Sequence, residues 1–214
     1  MKSLLLSFGP LCAPFFVVVF LIEGVTRPQY DWMRHPISAL SIGPRGWSQI
    51  ANFVVTGVLV ASIGIGLRLA LPPRARSSLS GPILIALAGI GLIGAGVFVS
   101  DPVFGFPPDK PLVLAQFSWQ GHLHDLFSVL WFLGLPAACV VLAVRFFAIG
   151  QRNWAVYSLL SGLGMMVFFV LAAIGFRQRP GFVDVAGVYQ RLSVTTGLSW
   201  VSVIALHAKA KQRE

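Results

Sequence analysis

The chain has 214 residues, of which 56% are hydrophobic and only 11% charged, and its mean hydropathy is +0.81. A soluble domain of this size needs a charged surface that these residues do not supply, so a water-soluble globular fold is excluded. The formal net charge of +9 comes from Lys and Arg scattered at the ends of apolar blocks, without a basic stripe, which excludes a nucleic-acid binder.

The apolar blocks approach the ~20 residues needed to cross a bilayer, and they predict an all-α, polytopic bundle of six membrane-spanning helices forming one domain over residues 1–214. The first span is expected at about 4–23. Lys2 precedes it as in a signal peptide, but the run from Leu4 to Ile22 is long for one and no small-x-small site follows, so it reads as a retained helix. The others are expected at about 47–69, 81–100, 121–144, 154–174 and 188–208. Cys12 and Cys139 fall inside spans and read as small packing residues rather than a disulfide.

On one side, the loops Pro72-Pro73-Arg74-Ala75-Arg76 and Gly150-Gln151-Arg152-Asn153 are short, basic and free of acids. On the other side the connections are longer, at about 24–46, 101–120 and 175–187. The first side holds nine cations (Lys2, Arg68, Arg74, Arg76, Arg145, Arg152, Lys209, Lys211 and Arg213). The second holds seven (Arg27, Arg34, Arg45, Lys110, Arg177, Arg179 and Arg191), and the imbalance predicts cytoplasmic termini. Tyr30, Trp32, Trp47, Trp119 and Tyr189 mark the outer interface, and Trp154 and Tyr157 the inner one.

Six of the seven carboxylates (Glu23, Asp31, Asp101, Asp109, Asp125 and Asp184) share the outer side with His35, His122 and His124, so a polar site is expected there. Spans two, four and six begin with polar pairs three apart, Gln49/Asn52, His122/Asp125 and Gln190/Ser193. Repeated helical hairpins would produce this echo, and so would chance.

The densest cluster is Gly121-His122-Leu123-His124-Asp125-Leu126-Phe127-Ser128. On a helix His122 and Asp125 share one face and His124 and Ser128 another, so the two histidines cannot both ligate one metal. The bland reading is an interfacial helix start with Asp125 complementing the helix dipole; a binding, transport or catalytic site is the alternative. A second cluster, Asp31 to Ser41, reads as a cap over the bundle in which His35 pairs with Asp31. Asp101-Pro102 through Pro108 reads as a rigid lid, and Arg191, in the first turn of span six, requires either snorkelling to the interface or a partner, for which an acid or a lipid phosphate would serve. No histidine pair at matching depth is available for haem, and no span carries a Schiff-base lysine.

The string His35-Pro36-Ile37-Ser38-Ala39-Leu40-Ser41 with Gly43-Pro44-Arg45-Gly46-Trp47, Gln49, Asn52-Phe53 and Gly66-Leu67-Arg68 resembles the bacterial membrane family known as domain of unknown function 998. Asp101-Pro102, Gly105-Phe106-Pro107-Pro108, His124-Asp125-Leu126 and Gln190-Arg191 extend the resemblance over nearly the whole chain. It implies a six-span bacterial protein with its characteristic residues near the outer ends, and no assigned activity. Pro-Ile-Ser-Ala-Leu also has a distant likeness to Frag1/DRAM-like membrane proteins linked to lipid and GPI-anchor handling, by analogy only.

The expected site is an outward-facing, partly lidded pocket lined by His35, Gln49, Asn52, Asp101, His122 or His124, Asp125 and Arg191. The favoured reading is binding of a lipid or other amphiphile, with Arg191 holding an anionic headgroup. A membrane-embedded hydrolase, metal-dependent or not, and a structural or sensory subunit remain as alternatives, so whether the chain is an enzyme stays open. No metal set and no cofactor is assigned. The expected partners are membrane lipids and a small amphiphile, and the expected location is the bacterial cytoplasmic membrane.

Overall fold

A computed structural model describes residues 2–70, 80–108, 110–112 and 115–212. Arg74, Arg76, Asp109 and Arg213, and the loop at 72–76, lie outside the described residues. The described chain forms helices α1 (Lys2–Leu6), α2 (Gly9–Thr26), α3 (Gly46–Ala70), α4 (Ser80–Val97), α5 (Trp119–Phe132), α6 (Gly134–Ala148), α7 (Arg152–Phe176) and α8 (Ala186–Ala210). Among the described residues, five segments are long and apolar enough to cross a membrane: Ser3–Thr26, α3, α4, Trp119–Ala148 and α7. The protein is therefore a helical membrane protein.

α8 is 25 residues long, as α3 and α7 are, but is diluted by Gln190, Arg191 and a series of Ser and Thr. Its polarity belongs to burial inside protein rather than to exposure. Ser193 Oγ donates to the Met165 carbonyl at 2.8 Å, Trp200 Nε1 donates to Ser158 Oγ at 3.0 Å, and Ser202 Oγ accepts from the Ala13 amide at 3.3 Å. Ser193, Trp200 and Ser202 thus each have a partner inside the protein, which offsets the cost of burying them.

Two predicted spans are broken. The first divides at Ser7 and Phe8, just before Pro10 at the start of α2. The span expected at 121–144 divides at Leu133 into α5 and α6. Pro136, in the first turn of α6, has no amide proton to give the Phe132 carbonyl, and its ring crowds that carbonyl, so the ladder stops there.

The tightest seam joins α3 to α4. A Cβ on Gly89 would lie 2.5 Å from the Ala61 amide nitrogen and 2.6 Å from the Gly57 carbonyl oxygen, so only glycine lets the backbones meet. Lys209 Nζ donates to Ser7 Oγ at 2.8 Å, which brings both described chain ends to one end of the bundle. At the opposite end, a five-residue 3-10 turn, Ile37–Ser41, is buried throughout and packs against α2, α3 and α8.

Candidate functional site

A cavity of about 420 Å³ opens at the end opposite the chain termini, within the size range of small-molecule sites. α5 supplies His124, Asp125 and Ser128, α7 supplies Phe169, Ala172 and Phe176, and the loop after α4 roofs it with Asp101, Val103 and Phe104. Pro36, Ser38 and Gln190 close the back. Leu112, Phe117 and Val129 border it and are exposed, so the rim is apolar.

The rotation of α5 decides which histidine enters. Ser118 caps the helix, its Oγ accepting from the Gly121 amide at 3.0 Å. With that start, His124 turns inward and is buried, while His122 is exposed beside the Phe117 ring. His124 Nδ1 sits 2.8 Å from the Ala95 carbonyl and 2.9 Å from the Phe98 carbonyl, at the C-terminal end of α4. Carbonyls only accept, so Nδ1 donates, and in the neutral ring the lone pair is on Nε2. This satisfies carbonyls that a helix end leaves open.

Asp101 ties the roof to α5. Its Oδ2 accepts from the Ser118 amide at 2.8 Å. Gly121 makes that approach possible, because a Cβ there would collide with the Asp101 carboxylate. Asp125 lines the cavity from an exposed position and makes no ion pair among the described residues.

His35 and Arg191 lie in a separate knot behind the cavity. Arg191, 7% exposed, donates through Nη1 to the carbonyls of His35 (3.0 Å) and Gly187 (2.9 Å) and through Nη2 to the Tyr30 hydroxyl (2.5 Å). The rings of Phe20 and Tyr30 each lie 5.7 Å from its guanidinium carbon. Carbonyl dipoles and ring faces stabilise this cation, with no carboxylate beside it among the described residues. Backbone carbonyls and the Tyr30 hydroxyl thus stand where an acid was one of the partners expected for Arg191. The Tyr30 hydroxyl in turn lies 2.9 Å from the Pro36 carbonyl and 3.2 Å from that of His35. Burial pushes the Tyr30 phenol above its ordinary value.

His35 does not pair with the Asp31 carboxylate. Its Nδ1 accepts from the Asp31 amide at 3.0 Å and its Nε2 faces the Phe104 carbonyl at 3.4 Å. The Asp31 carboxylate accepts instead from the amides of Met33 (2.9 Å) and Arg34 (3.4 Å), closing a local turn. Burial pushes the His35 imidazole below its ordinary value, and that amide bond needs the neutral ring.

Gln49 and Asn52 form a third group, buried beside α2. Asn52 Nδ2 donates to the Phe16 carbonyl at 3.1 Å and lies 3.3 Å from Gln49 Oε1. Gln49 Nε2 and Asn52 Oδ1 have no partner among the described residues, and neither residue borders the cavity. Nearby, Glu23 pairs with Arg27 at 2.5 Å and with Arg45 at 3.1 Å, fastening α2 to the loop before α3. The Glu23/Arg27 spacing of four was a readable signal for this pair.

Of the eight residues expected at the site, His124, Asp101 and Asp125 thus meet at one cavity. His35 and Arg191 meet in the knot, Gln49 and Asn52 pair elsewhere, and His122 stands apart. Ser38, Ser128 and Gln190 on the cavity lining and Tyr30 in the knot are additions to the eight. Among the described residues no group of three or more His, Cys, Asp or Glu side chains is placed to hold a metal ion.

Comparison with curated proteins and with solved structures returns no match. The family model described as Protein of unknown function (DUF998) matches residues 10–207, from the start of α2 almost to the end of α8, and the chain belongs to that family.

Proposed function

We propose that the chain is a six-span protein of a bacterial cytoplasmic membrane, with both termini cytoplasmic, that binds an amphiphile in the cavity between α5 and α7. The observation that carries this reading is the division of the cavity lining. Phe104, Phe132, Phe169 and Phe176 offer an apolar chamber, whereas Asp101, His124, Asp125 and Ser128 gather on the α5 side. Such a lining suits a tail in the chamber and a polar headgroup at α5. The headgroup is neutral or cationic rather than anionic, because the ionic groups on the lining are carboxylates and Arg191 is turned away into its knot. α8 serves as the sixth span, its polar residues shielded by α2 and α7.

A purely structural subunit would leave no chamber and pair every acid locally, which Asp125 argues against. Hydrolysis is a second reading. It rests on His124 and Ser128, one helical turn apart on the lining, with the Nε2 lone pair free to take a proton. The metal-dependent form of that reading has no ligand group among the described residues to support it.

The test is lipid extraction and mass spectrometry of full-length protein purified in a mild detergent, beside Ala173→Trp, which fills the chamber. Near-stoichiometric amphiphile in the wild type and its loss from a variant of equal helicity is the expected result. Equal content in both would sink the proposal. Turnover of the extracted amphiphile's ester or amide, abolished in Ser128→Ala, would move the assignment to a hydrolase.

A further inference from the structure

We propose a second, independent site at the other end of the bundle that binds a phosphate-bearing anion. A cavity of about 210 Å³ lies there, where the C-terminal ends of α3, α6 and α8 meet the start of α7. Its polar lining consists of Arg145, Gln151, His207, Lys211 and Gln212. No carboxylate appears among these, and Glu23, Asp31, Asp101, Asp125 and Asp184, the described acids, belong to the opposite end.

The ordinary reason for cations here would be to complement the negative ends of helix dipoles, or to cap the last carbonyls. Arg145 does not cap. Its Nη1 is buried and has no partner among the described residues. Gln212 Nε2 is a second buried donor with no partner among the described residues. A buried guanidinium nitrogen without an acceptor is costly, and an oxyanion removes that cost. The helix ends oppose an anion by partial charges, whereas Arg145 and Lys211 attract it with full ones.

The remaining lining supports the same ligand. Trp154 stacks on the His207 ring at 3.9 Å, and Gln151 Oε1 lies 3.1 Å from His207 Nε2, so the imidazole is held as a fixed wall. Leu142, Phe146 and Ile204 make the inner wall apolar. A phosphate carrying glycerol or acyl groups fits both parts of this lining, as basic pockets between membrane helices do for anionic headgroups. A free phosphate shares the polar part alone.

The test uses the full chain, delipidated in a sugar-headgroup detergent that carries no phosphate. Its thermal midpoint is followed on titration with inorganic phosphate and, separately, with short-chain phosphatidylglycerol. The expected result is a saturable rise in at least one titration, with binding about tenfold weaker in Arg145→Gln and in Lys211→Gln. Arg177→Gln, exposed at the opposite end, keeps wild-type binding. A rise with phosphatidylglycerol alone identifies a lipid headgroup, and a rise with inorganic phosphate identifies the free ion. No rise in either titration, or a rise that survives unchanged in both variants, overturns the proposal. Lys211 is exposed, so its variant decides the matter if Arg145→Gln does not fold.

Discussion

Arg191 and His35 stand 156 positions apart and meet through a hydrogen bond of 3.0 Å from guanidinium to backbone carbonyl. The cation reads the peptide and leaves the imidazole to other partners. Through Tyr30 the same guanidinium also fixes the chain around Pro36, so one side chain of α8 holds the cap over the bundle. Arg191→Met is expected to lose about 3 kcal/mol of stability, since it orphans buried acceptors and a phenol at once. The exposed Arg177→Gln should shift stability by less than about 0.5 kcal/mol. Chemical unfolding of both variants in detergent measures the difference.

Stability is expected to fall on acidification through His35. Burial holds its folded-state value below the ordinary 6.5, with the Phe104 carbonyl and Asp31 raising it and Arg34 and Arg191 lowering it further. A depressed value means that the unfolded chain binds the proton first. The contribution is therefore complete above about pH 6.5 and is lost as pH falls through the folded-state value. Thermal midpoints measured across that interval should slope downward toward acid, and His35→Gln should flatten the part due to this ring.

Gly121→Ala should destabilise the protein by about 2 kcal/mol, because the added methyl meets the Asp101 carboxylate that anchors the Ser118 amide. The same change in an Asp101→Ala background should cost much less, since the obstacle is gone. A double-mutant cycle of unfolding free energies tests this, and strict additivity would refute the contact.

At the α3–α4 seam, Gly89→Val must push two backbones apart, and a loss of about 3 kcal/mol is expected. Gly164→Val on α7, where an added Cβ comes no closer than 4.0 Å to a neighbour, should be far milder. Thermal unfolding of the pair separates a close approach from a general intolerance of bulk.

The long apolar blocks were legible because hydropathy reports directly on solvent, and the collection of acids and histidines at one end followed from counting. Rotation was not legible. Whether His122 or His124 faces inward depends on where Ser118 starts the helix, a matter of one residue that hydropathy does not register. The partner of Arg191 was invisible for another reason: a search for acids cannot find a backbone carbonyl. Tyr30 resembled the belt aromatics Trp32, Trp47 and Trp119, which are 48%, 70% and 63% exposed, yet it is 7% exposed and bonded to Arg191. The break at Leu133 did leave a trace in Pro136, masked by the unbroken apolar run around it.

That break has a mechanical consequence. The helical ladder is interrupted at Leu133, so α5, which packs on α4 and lines the larger cavity, is expected to fluctuate independently of α6, which packs on both α4 and α7. Amide hydrogen exchange is therefore expected to run faster in Trp119–Phe132 than in Gly134–Ala148. Pro136→Ala restores the missing donor, and it should level the two rates by turning a jointed pair into a single rod.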